Sequence, residues 1–264
     1  MSAELYSADV VKSASAMLAA IALAVPAASV PQRSAAAPRR EMPVPFTAGE
    51  KLGYDVSWSS FLTAGTATVS VAEKKPSYGS TAYYIVAEGR PTPLLSKIYS
   101  LYYKADTLLD AYSLLPQRGS VYSEEGKRRR TKTTVFEHRA RRADYEVQTR
   151  TVVKTSLAIS PVAQDPLGAL FVLRSIPLKT GEKMTMPICD NGTSYKVLIE
   201  GGPAETVKTR GGDVAAQRVS ITPPPESGAR ALSVWYSTDA AHVPVKMSAQ
   251  LPVGAFVLTL SSRQ

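Results

Sequence analysis

The stretch EKLGYDVSWSSFLTAGTATVSVAEK, residues 50–74, decides the fold class. Apolar side chains occupy every second position of its first half, at Leu52, Tyr54, Val56 and Trp58. This alternation is typical of a half-buried antiparallel strand, because successive side chains of a strand point to opposite faces. After the loop SSFLTAG, a second alternating run covers residues 67–71. The stretch therefore predicts a β-hairpin in which Trp58 and its strand-mates build a concave or barrel core.

The rest of the chain repeats this pattern. Asn191-Gly192 and Gly211-Gly212 each separate two strand-like runs, and such pairs supply the positive φ of tight hairpin turns. Counted in this way, the chain holds about a dozen short strands. The pattern predicts a mainly β protein: a single large antiparallel curved sheet or open β-barrel with one short apolar helix.

The helix is predicted at QDPLGALFVLRSIPL. Asp165 is a suitable N-cap, Pro166 suits the first helical position, and Pro177 lies beyond the end at Arg174. The segment is almost wholly apolar, so it is expected to plug or cover the sheet and is a candidate lid. A single helical turn is also predicted to begin at Pro93.

The N-terminus indicates export. Residues 13–30 form an apolar run rich in small residues, which is typical of a signal peptide with cleavage near Ser29. An uncleaved anchor or a misassigned start codon are the alternatives. The predicted organisation is a signal peptide at 1–29, a flexible Pro/Ala/Arg leader at 30–44, and a single β-rich domain at 45–262. The predicted location is the periplasm.

Composition and net charge indicate which classes of binding partner the protein is expected to have. Hydrophobic residues make up 44% of the chain and charged residues 20%, which is ordinary for a folded domain. The net charge is +9, and it becomes +10 once the signal peptide, with one cation and two anions, is removed. A basic exported protein is expected to contact a lipid or an anionic component of the envelope, including peripheral contact with a membrane. Export argues against nucleic acid.

The sequence offers little chemistry. Cys189 is the only cysteine, so no intramolecular disulfide can form, and a buried structural thiol is favoured over a nucleophile. The only histidines, His138 and His242, are interpreted as exposed turn residues. No phosphate loop, dinucleotide fingerprint, nucleophile elbow or metal-ligand spacing occurs. We therefore predict no catalytic residues, no metal, no cofactor and no enzyme activity. A hydrolase or isomerase with an unrecognised site is the alternative.

The densest charge lies in GKRRRTKTTVFEHRARR, residues 126–142. The run is interpreted as a hairpin in which cations near its start face cations near its end. Because neighbouring residues of a strand alternate, these cations cannot all share one face. One interpretation is an edge hairpin that resists aggregation. The other is an anion-binding patch for a phosphate-bearing lipid or polymer, formed by Arg128, Arg129, Arg130, Arg141 and Arg142.

Aromatic residues supply the candidate ligand site. Tyrosine is abundant between residues 78 and 122, and aromatic side chains on a curved sheet either line an apolar cavity or pack the core. The candidate ligand-binding residues are Tyr54, Trp58, Tyr84, Tyr102, Phe171 and Trp235.

Several segments together resemble one family of bacterial exported proteins, the domain-of-unknown-function family 3108. The resemblance rests on PFTAGEKLGYDVSWSSFLTAGTATVSV, GRPTPLLSKIYSLYYKADTLLDAYSLLPQR, DPLGALFVLRSIPLKTGEKMTMPICDNGTSYKV and LSVWYSTDAAHVPVKMSAQLPVGAFVLTL. It covers residues 45–262, and the Arg run at 128–130 departs from it. It implies a periplasmic or envelope-associated β-rich protein and assigns no catalytic residue.

Two functions follow as hypotheses. The first is an envelope protein without enzyme activity whose curved sheet binds a lipid or another apolar ligand. The second is a structural or interaction module that docks a partner through the basic hairpin or a sheet edge.

Overall fold

A computed structural model describes residues 39–58, 62–98, 101–251 and 254–264. Residues Arg39–Gln264 form one compact unit. The predicted signal peptide and most of the predicted leader lie outside the described residues. The end of that leader, residues 39–44, packs on the sheet: the Met42 amide donates to the carbonyl of Ala111, at 2.9 Å, and Lys74 pairs with Glu41.

The described residues contain fourteen strands and two α-helices. The strands are β1 (Lys51–Trp58), β2 (Leu62–Ser77), β3 (Ser80–Pro91), β4 (Leu101–Asp110), β5 (Pro116–Glu125), β6 (Arg128–Glu137), β7 (Arg142–Gln148), β8 (Val152–Ala158), β9 (Lys183–Asp190), β10 (Thr193–Thr209), β11 (Gly212–Thr222), β12 (Leu232–Ser237), β13 (Pro244–Leu251) and β14 (Gly254–Arg263). The helices are α1 (Pro93–Ile98) and α2 (Pro166–Arg174), and short 3-10 turns cover His138–Ala140 and Pro225–Ser227.

All fourteen strands belong to one antiparallel sheet. Their order is β8-β7-β6-β5-β4-β3-β2-β1-β14-β13-β12-β11-β10-β9, so the edges are β8 and β9. The sheet curls until these ends approach each other: Lys132 of β6 donates to Asn191 at the β9–β10 turn. The connection from β8 to α2 covers part of the β9 edge, since Gln164 exchanges backbone hydrogen bonds with Pro187 and Cys189 of β9, at 2.9 and 2.8 Å. The predicted open β-barrel is confirmed.

Helix α2 lies inside this curl. Its predicted N-cap is confirmed, because the Asp165 carboxylate accepts from the amides of Leu167 and Gly168, each at 3.0 Å. One side of the helix packs on β1 and β9–β13, and the other packs on β2–β4. We call the sheet face that contacts α2 the inner face. Strand alternation assigns each sheet residue to this face or to the outer face.

The C-terminal end of α2 is held by a buried ion pair. The Arg174 guanidinium donates to both carboxylate oxygens of Glu50, at 2.8 and 3.0 Å. It also donates to the carbonyls of Ala241 and His242, at 3.0 and 3.2 Å. The ring faces of Phe46 and Phe171 flank it, each with its centroid 5.3 Å away. One side chain therefore ties α2 to the start of β1 and to the β12–β13 connection.

Most predicted elements are confirmed, with a few differences. The hairpin of residues 50–74 forms as β1 and β2, and the turn at Asn191-Gly192 has positive φ at both residues, 51° and 73°. The helical turn at Pro93 is α1. The strand-like run RADYEVQTRTVV is divided between β7 and β8. Fourteen strands replace the expected dozen.

Candidate functional site

The inner face ends in an apolar cavity of about 310 Å³, which we call the end cavity. It lies where β1 and β3 end and where β2, β4 and β14 begin, and α1 forms one wall. Its lining residues come from six elements: Val56, Trp58, Ala64, Gly65, Thr66, Gly89, Arg90, Pro91, Leu95, Leu101, Tyr103 and Phe256. A volume of this size lies at the lower end of the range of about 300–1,000 Å³ that is typical of ligand sites.

Aromatic rings and missing side chains shape the end cavity. Trp58 stacks on Phe256 of the neighbouring strand, with ring centroids 6.1 Å apart and planes 10° from parallel. Gly65 and Gly89 line the sheet wall of the cavity. At Gly65 a Cβ would lie 2.2 Å from the carbonyl oxygen of Arg90, so only glycine fits between the strands there. At Gly89 a Cβ would meet no atom within 4 Å, so open space stands above the sheet.

A second cavity of about 320 Å³ lies beside α2. Its walls are α2, strands β9–β11 and the segment before β12, and its lining includes Leu170, Leu173, Ile188, Val197 and Leu232. Asp190 and Arg230 contribute polar groups to it. The inner face therefore borders two apolar cavities, one lined by α2 and one at the end of the sheet that α1 covers.

The structure does not bring the six predicted ligand-binding residues together. Trp58 is the one that lines the end cavity, and its 40% exposure places it outside the packed core in which its strand-mates Leu52 and Tyr54 lie. Tyr54 and Phe171 are buried core residues, and the Tyr54 hydroxyl donates to the carbonyl of Pro244 at 2.8 Å. Their contacts are those of packing residues.

The other three aromatic candidates lie on the outer face. Tyr84 packs under the ammonium of Lys75, 4.0 Å from the ring centroid, and Tyr102 under the guanidinium of Arg90, at 4.6 Å. Trp235 is buried beneath Lys246, at 4.4 Å, and its indole N–H donates to Glu205. A basic side chain lies over each ring. Tyr84 and Tyr102 lie on the outside of the sheet, whereas Trp235 also packs in the main hydrophobic cluster.

The basic run does not form the hairpin that the sequence suggested. In the strand register, Arg128 and Arg129 lie opposite Glu125 and Glu124 across the β5–β6 turn, whereas Arg142 lies opposite Glu137 at the other end of β6. At about 3.3 Å per residue, the two groups of arginines are about 26 Å apart. Strand β6 also lies between β5 and β7. The facing-cation arrangement and the edge-hairpin interpretation were therefore both wrong.

The histidines are half-buried instead of exposed. A ring nitrogen of His138 lies 2.7 Å from the carbonyl oxygen of Pro116, and its ring stacks on Phe136. Nδ1 of His242 lies 2.8 Å from the carbonyl oxygen of Arg174. Each is bound to backbone of another element, which is what a structural histidine does.

Asp165 and Cys189 are the ionisable groups most affected by burial near the N-terminal end of α2. Burial raises the pKa of Asp165 to about 6, against the opposing effect of the Gly168 amide, the Thr107 hydroxyl and the Leu167 amide. Burial also raises the pKa of the Cys189 thiol to about 12, with the carboxyls of Asp190 and Asp165 adding to the shift. These groups serve the helix cap and a small apolar cluster of Phe136, Ala143, Ile159 and Ala163.

We expect Cys189 to be unreactive in the native protein, because it is both buried and protonated. A disulfide exchange reagent such as Ellman's reagent at pH 8 is expected to react at least about 100-fold more slowly with the folded protein than with the urea-unfolded protein. The Cys189→Ser variant gives the background signal. Equal rates for the folded and unfolded protein would contradict the buried-thiol assignment.

Within the described part of the chain, no group of three or more His, Cys, Asp or Glu side chains has the arrangement of a metal site. None of the helices in the described residues has the length and apolar character needed to cross a bilayer.

Comparison with known proteins gives the family. Residues 53–261 match the family described as "Protein of unknown function (DUF3108)". The chain belongs to the DUF3108 family. No curated protein matches this DUF3108 chain at a significant level.

Solved structures support the fold. A β-barrel-like protein of domain of unknown function DUF1849 from Brucella abortus has a TM-score of 0.51 and 10% identity, over 81% of this chain and 96% of that one. A protein from Bacteroides fragilis, named as a candidate exported protein with a YmcC-like fold, has a TM-score of 0.34 and 10% identity, over 85% of this chain and all of that one. The similarity to the first structure supports the fold and nothing more, and the similarity to the second is too low to support any conclusion.

Sequence reasoning missed most of the end cavity. Phe256 stacks on Trp58 because β1 pairs with β14, and their residues are separated by almost the whole domain. The run GAFVLTLSS is strand-like in the sequence, but a strand-like run does not name the strand that pairs with it. Leu95 and Gly89 gave no signal at all, since a leucine in a helix and a glycine in a strand are ordinary in any β-rich protein.

Proposed function

We propose that this DUF3108 protein is an exported protein of the bacterial cell envelope that binds the acyl chain of a lipid, or another apolar ligand, without catalysing a reaction. The observation that carries the proposal is the end cavity, an apolar space on the inner face beside the stacked rings of Trp58 and Phe256. Unlike the core around α2, this part of the inner face leaves room above the sheet at Gly89. Burial of an acyl chain in such a space is favourable, because it removes apolar surface from water.

The predicted signal peptide and the family resemblance support the proposed location. The mature protein is expected in the periplasm after cleavage near Ser29. Expression with the native N-terminus in a Gram-negative host, followed by native mass spectrometry of the periplasmic protein, tests both parts. The expected result is a mature N-terminus near residue 30 and an apolar mass that is released on denaturation.

The two tryptophans allow the site of binding to be located. Trp58 lines the end cavity, whereas Trp235 lies on the outer face beneath Lys246. In the Trp235→Phe variant, an acyl ligand brominated along its chain is expected to quench most of the remaining fluorescence at saturation, because bromine quenches indole only at contact distance. The measurement is a fluorescence titration with the brominated ligand and with its unbrominated parent.

The matched control is the Trp58→Phe variant, in which the only indole is Trp235. Its fluorescence is expected to change little with the brominated ligand. Strong quenching in the control would place the ligand elsewhere, and the absence of quenching in both variants would overturn the proposal.

One observation favours the second function, a module that docks a partner along a sheet edge. β8 is an edge strand, and its residues Val152 and Val153 are 51% and 54% exposed. An edge with apolar side chains and unpaired backbone groups can accept a further strand from another chain. A periplasmic protein that carries no apolar mass and forms a stable complex lost in a Val152→Lys/Val153→Lys variant would favour this function over ligand binding.

A further inference from the structure

Three cations of the basic run lie on the inner face of the sheet. Thr134 and Lys132 of β6 both line the small space beside α2 that Asp165 borders, which places them on the inner face. Because alternate residues of a strand share a face, Arg130 and Arg128 continue the row from Lys132. Arg129 points to the outer face, where it pairs with Glu124 at 3.6 Å.

This inner cation row, Arg128, Arg130 and Lys132, runs beside the end cavity. Tyr103 of the cavity pairs with Ser123 on β5, and Ser123 pairs with Arg130 on β6. Leu101 is likewise aligned with Arg128 through Glu125. Neighbouring strands are about 4.8 Å apart, so each arginine Cα lies about 10 Å from a cavity residue on the same face. An extended arginine side chain spans most of that distance.

The arginines of the row have little competition for a ligand. Neither Arg128 nor Arg130 takes part in an ion pair among the described residues. Other residues of β6 and its neighbours do form ion pairs on the outer face, for example Arg129 with Glu124 and Lys154 with Glu146. On the inner face Glu125 lies opposite Arg128 in the strand register, and its carboxylate accepts a hydrogen bond from the hydroxyl of Tyr103. Lys132 donates to Asn191, and it opposes the effect of burial on the pKa of Asp190.

We propose that the end cavity and the inner cation row bind one molecule, a single-chain amphiphile with an anionic headgroup. The inference rests on the proposed function and names the ligand class for the same site. The acyl chain lies between Trp58 and Gly89, and the headgroup contacts Arg128 and Arg130. Guanidinium groups suit this role, because their planar fork donates two parallel hydrogen bonds to a carboxylate or phosphate. The cavity volume of about 310 Å³ fits one chain better than two.

The test compares a brominated fatty acid, which is ionised, with its methyl ester, which has one more methyl group and no charge, by quenching of Trp58 in the Trp235→Phe background at low ionic strength. The wild-type row is expected to bind the acid at least about tenfold more tightly than the ester, since only the ionised carboxylate accepts charge-assisted hydrogen bonds from the guanidinium groups. In the Arg128→Gln/Arg130→Gln variant, the acid is expected to lose this preference while the ester binds as before.

The matched control is the Arg129→Gln/Arg139→Gln variant, which removes the same charge from exposed arginines outside the inner row. It is expected to keep the preference for the acid. An unchanged preference in the Arg128→Gln/Arg130→Gln variant, or an equal loss in the control, would overturn the headgroup site while ester binding still supported the cavity. Failure of both ligands to quench Trp58 would overturn the proposed function itself.

Discussion

Replacement of Arg174 by alanine is expected to lower the free energy of unfolding by about 3–5 kcal/mol, which is the usual cost of removing one partner from a buried ion pair. The Arg174 side chain is 0% exposed, and Glu50 is 7% exposed. The substitution leaves the Glu50 carboxylate buried with only Arg263, at 3.8 Å, in reach, and removes the donor from the carbonyls of Ala241 and His242. Because domains are stable by only about 5–15 kcal/mol, the loss is a large fraction of the total.

Equilibrium unfolding in urea, followed by circular dichroism, measures this loss. The matched control is Arg210→Ala, because Arg210 pairs with Asp55 at 2.7 Å but is 70% exposed. Exposed pairs contribute about 0–1 kcal/mol, so the control is expected to unfold close to the wild-type midpoint. If the alanine variant fails to accumulate, the Arg174→Met/Glu50→Leu variant is expected to recover folding, since it leaves no unpaired charge. A loss below 1 kcal/mol for Arg174→Ala would contradict the assigned role.

The ion pair also shows where sequence reasoning ends. The helix was predicted in full from local signals, because Asp165, Pro166 and Pro177 are near one another in the chain and act on the backbone directly. The same pattern marked Arg174 only as the last helical residue. Its partner Glu50 is 124 positions away, and no periodicity links the two. A buried arginine needs such a partner, but the sequence does not name it.

The candidate site follows the same division. Strand alternation placed Trp58 on the face of Tyr54, and the structure confirms that assignment. Whether that face is packed or open depends on how much of the strands the covering helix reaches, and this depends on the length of the helix relative to the strands. Helix α2 has nine residues and spans about 14 Å, whereas β2 has sixteen residues and spans about 53 Å. One end of the inner face therefore extends beyond the helix, and Trp58 lies there.

For the basic run of residues 126–142, the sequence predicted the alternation of side chains correctly but predicted the wrong strand partners. The rule that neighbours alternate correctly separates Arg129 from Arg128 and Arg130. The predicted register was wrong because Gly126-Lys127 forms the turn. Arg128 and Arg129 therefore lie opposite the glutamates that precede the turn. Charge density alone had suggested one patch, and the pairing divides it between two ends of β6.

A leucine at Gly89 is expected to abolish acyl binding without harming the fold. The Gly89 Cα lies in the wall of the end cavity, its φ is outside the left-handed region, and an added Cβ meets no atom within 4 Å. The new side chain therefore occupies the space between Trp58 and Tyr103 that we assign to the ligand. Stability is expected to stay the same or to rise slightly, because glycine in a strand interior costs about 0.5–1 kcal/mol.

The measurement combines the fluorescence titration with urea unfolding of the same variant. The Kd for a brominated acyl ligand is expected to rise at least about tenfold, which corresponds to about 1.4 kcal/mol of binding free energy. Glu88→Leu is the matched control, because it adds a leucine at the neighbouring position on the outer face. It is expected to leave the Kd unchanged. A Gly89→Leu variant that is stably folded and still binds the ligand with wild-type affinity would exclude the end cavity as the binding site, whatever the charge of the headgroup.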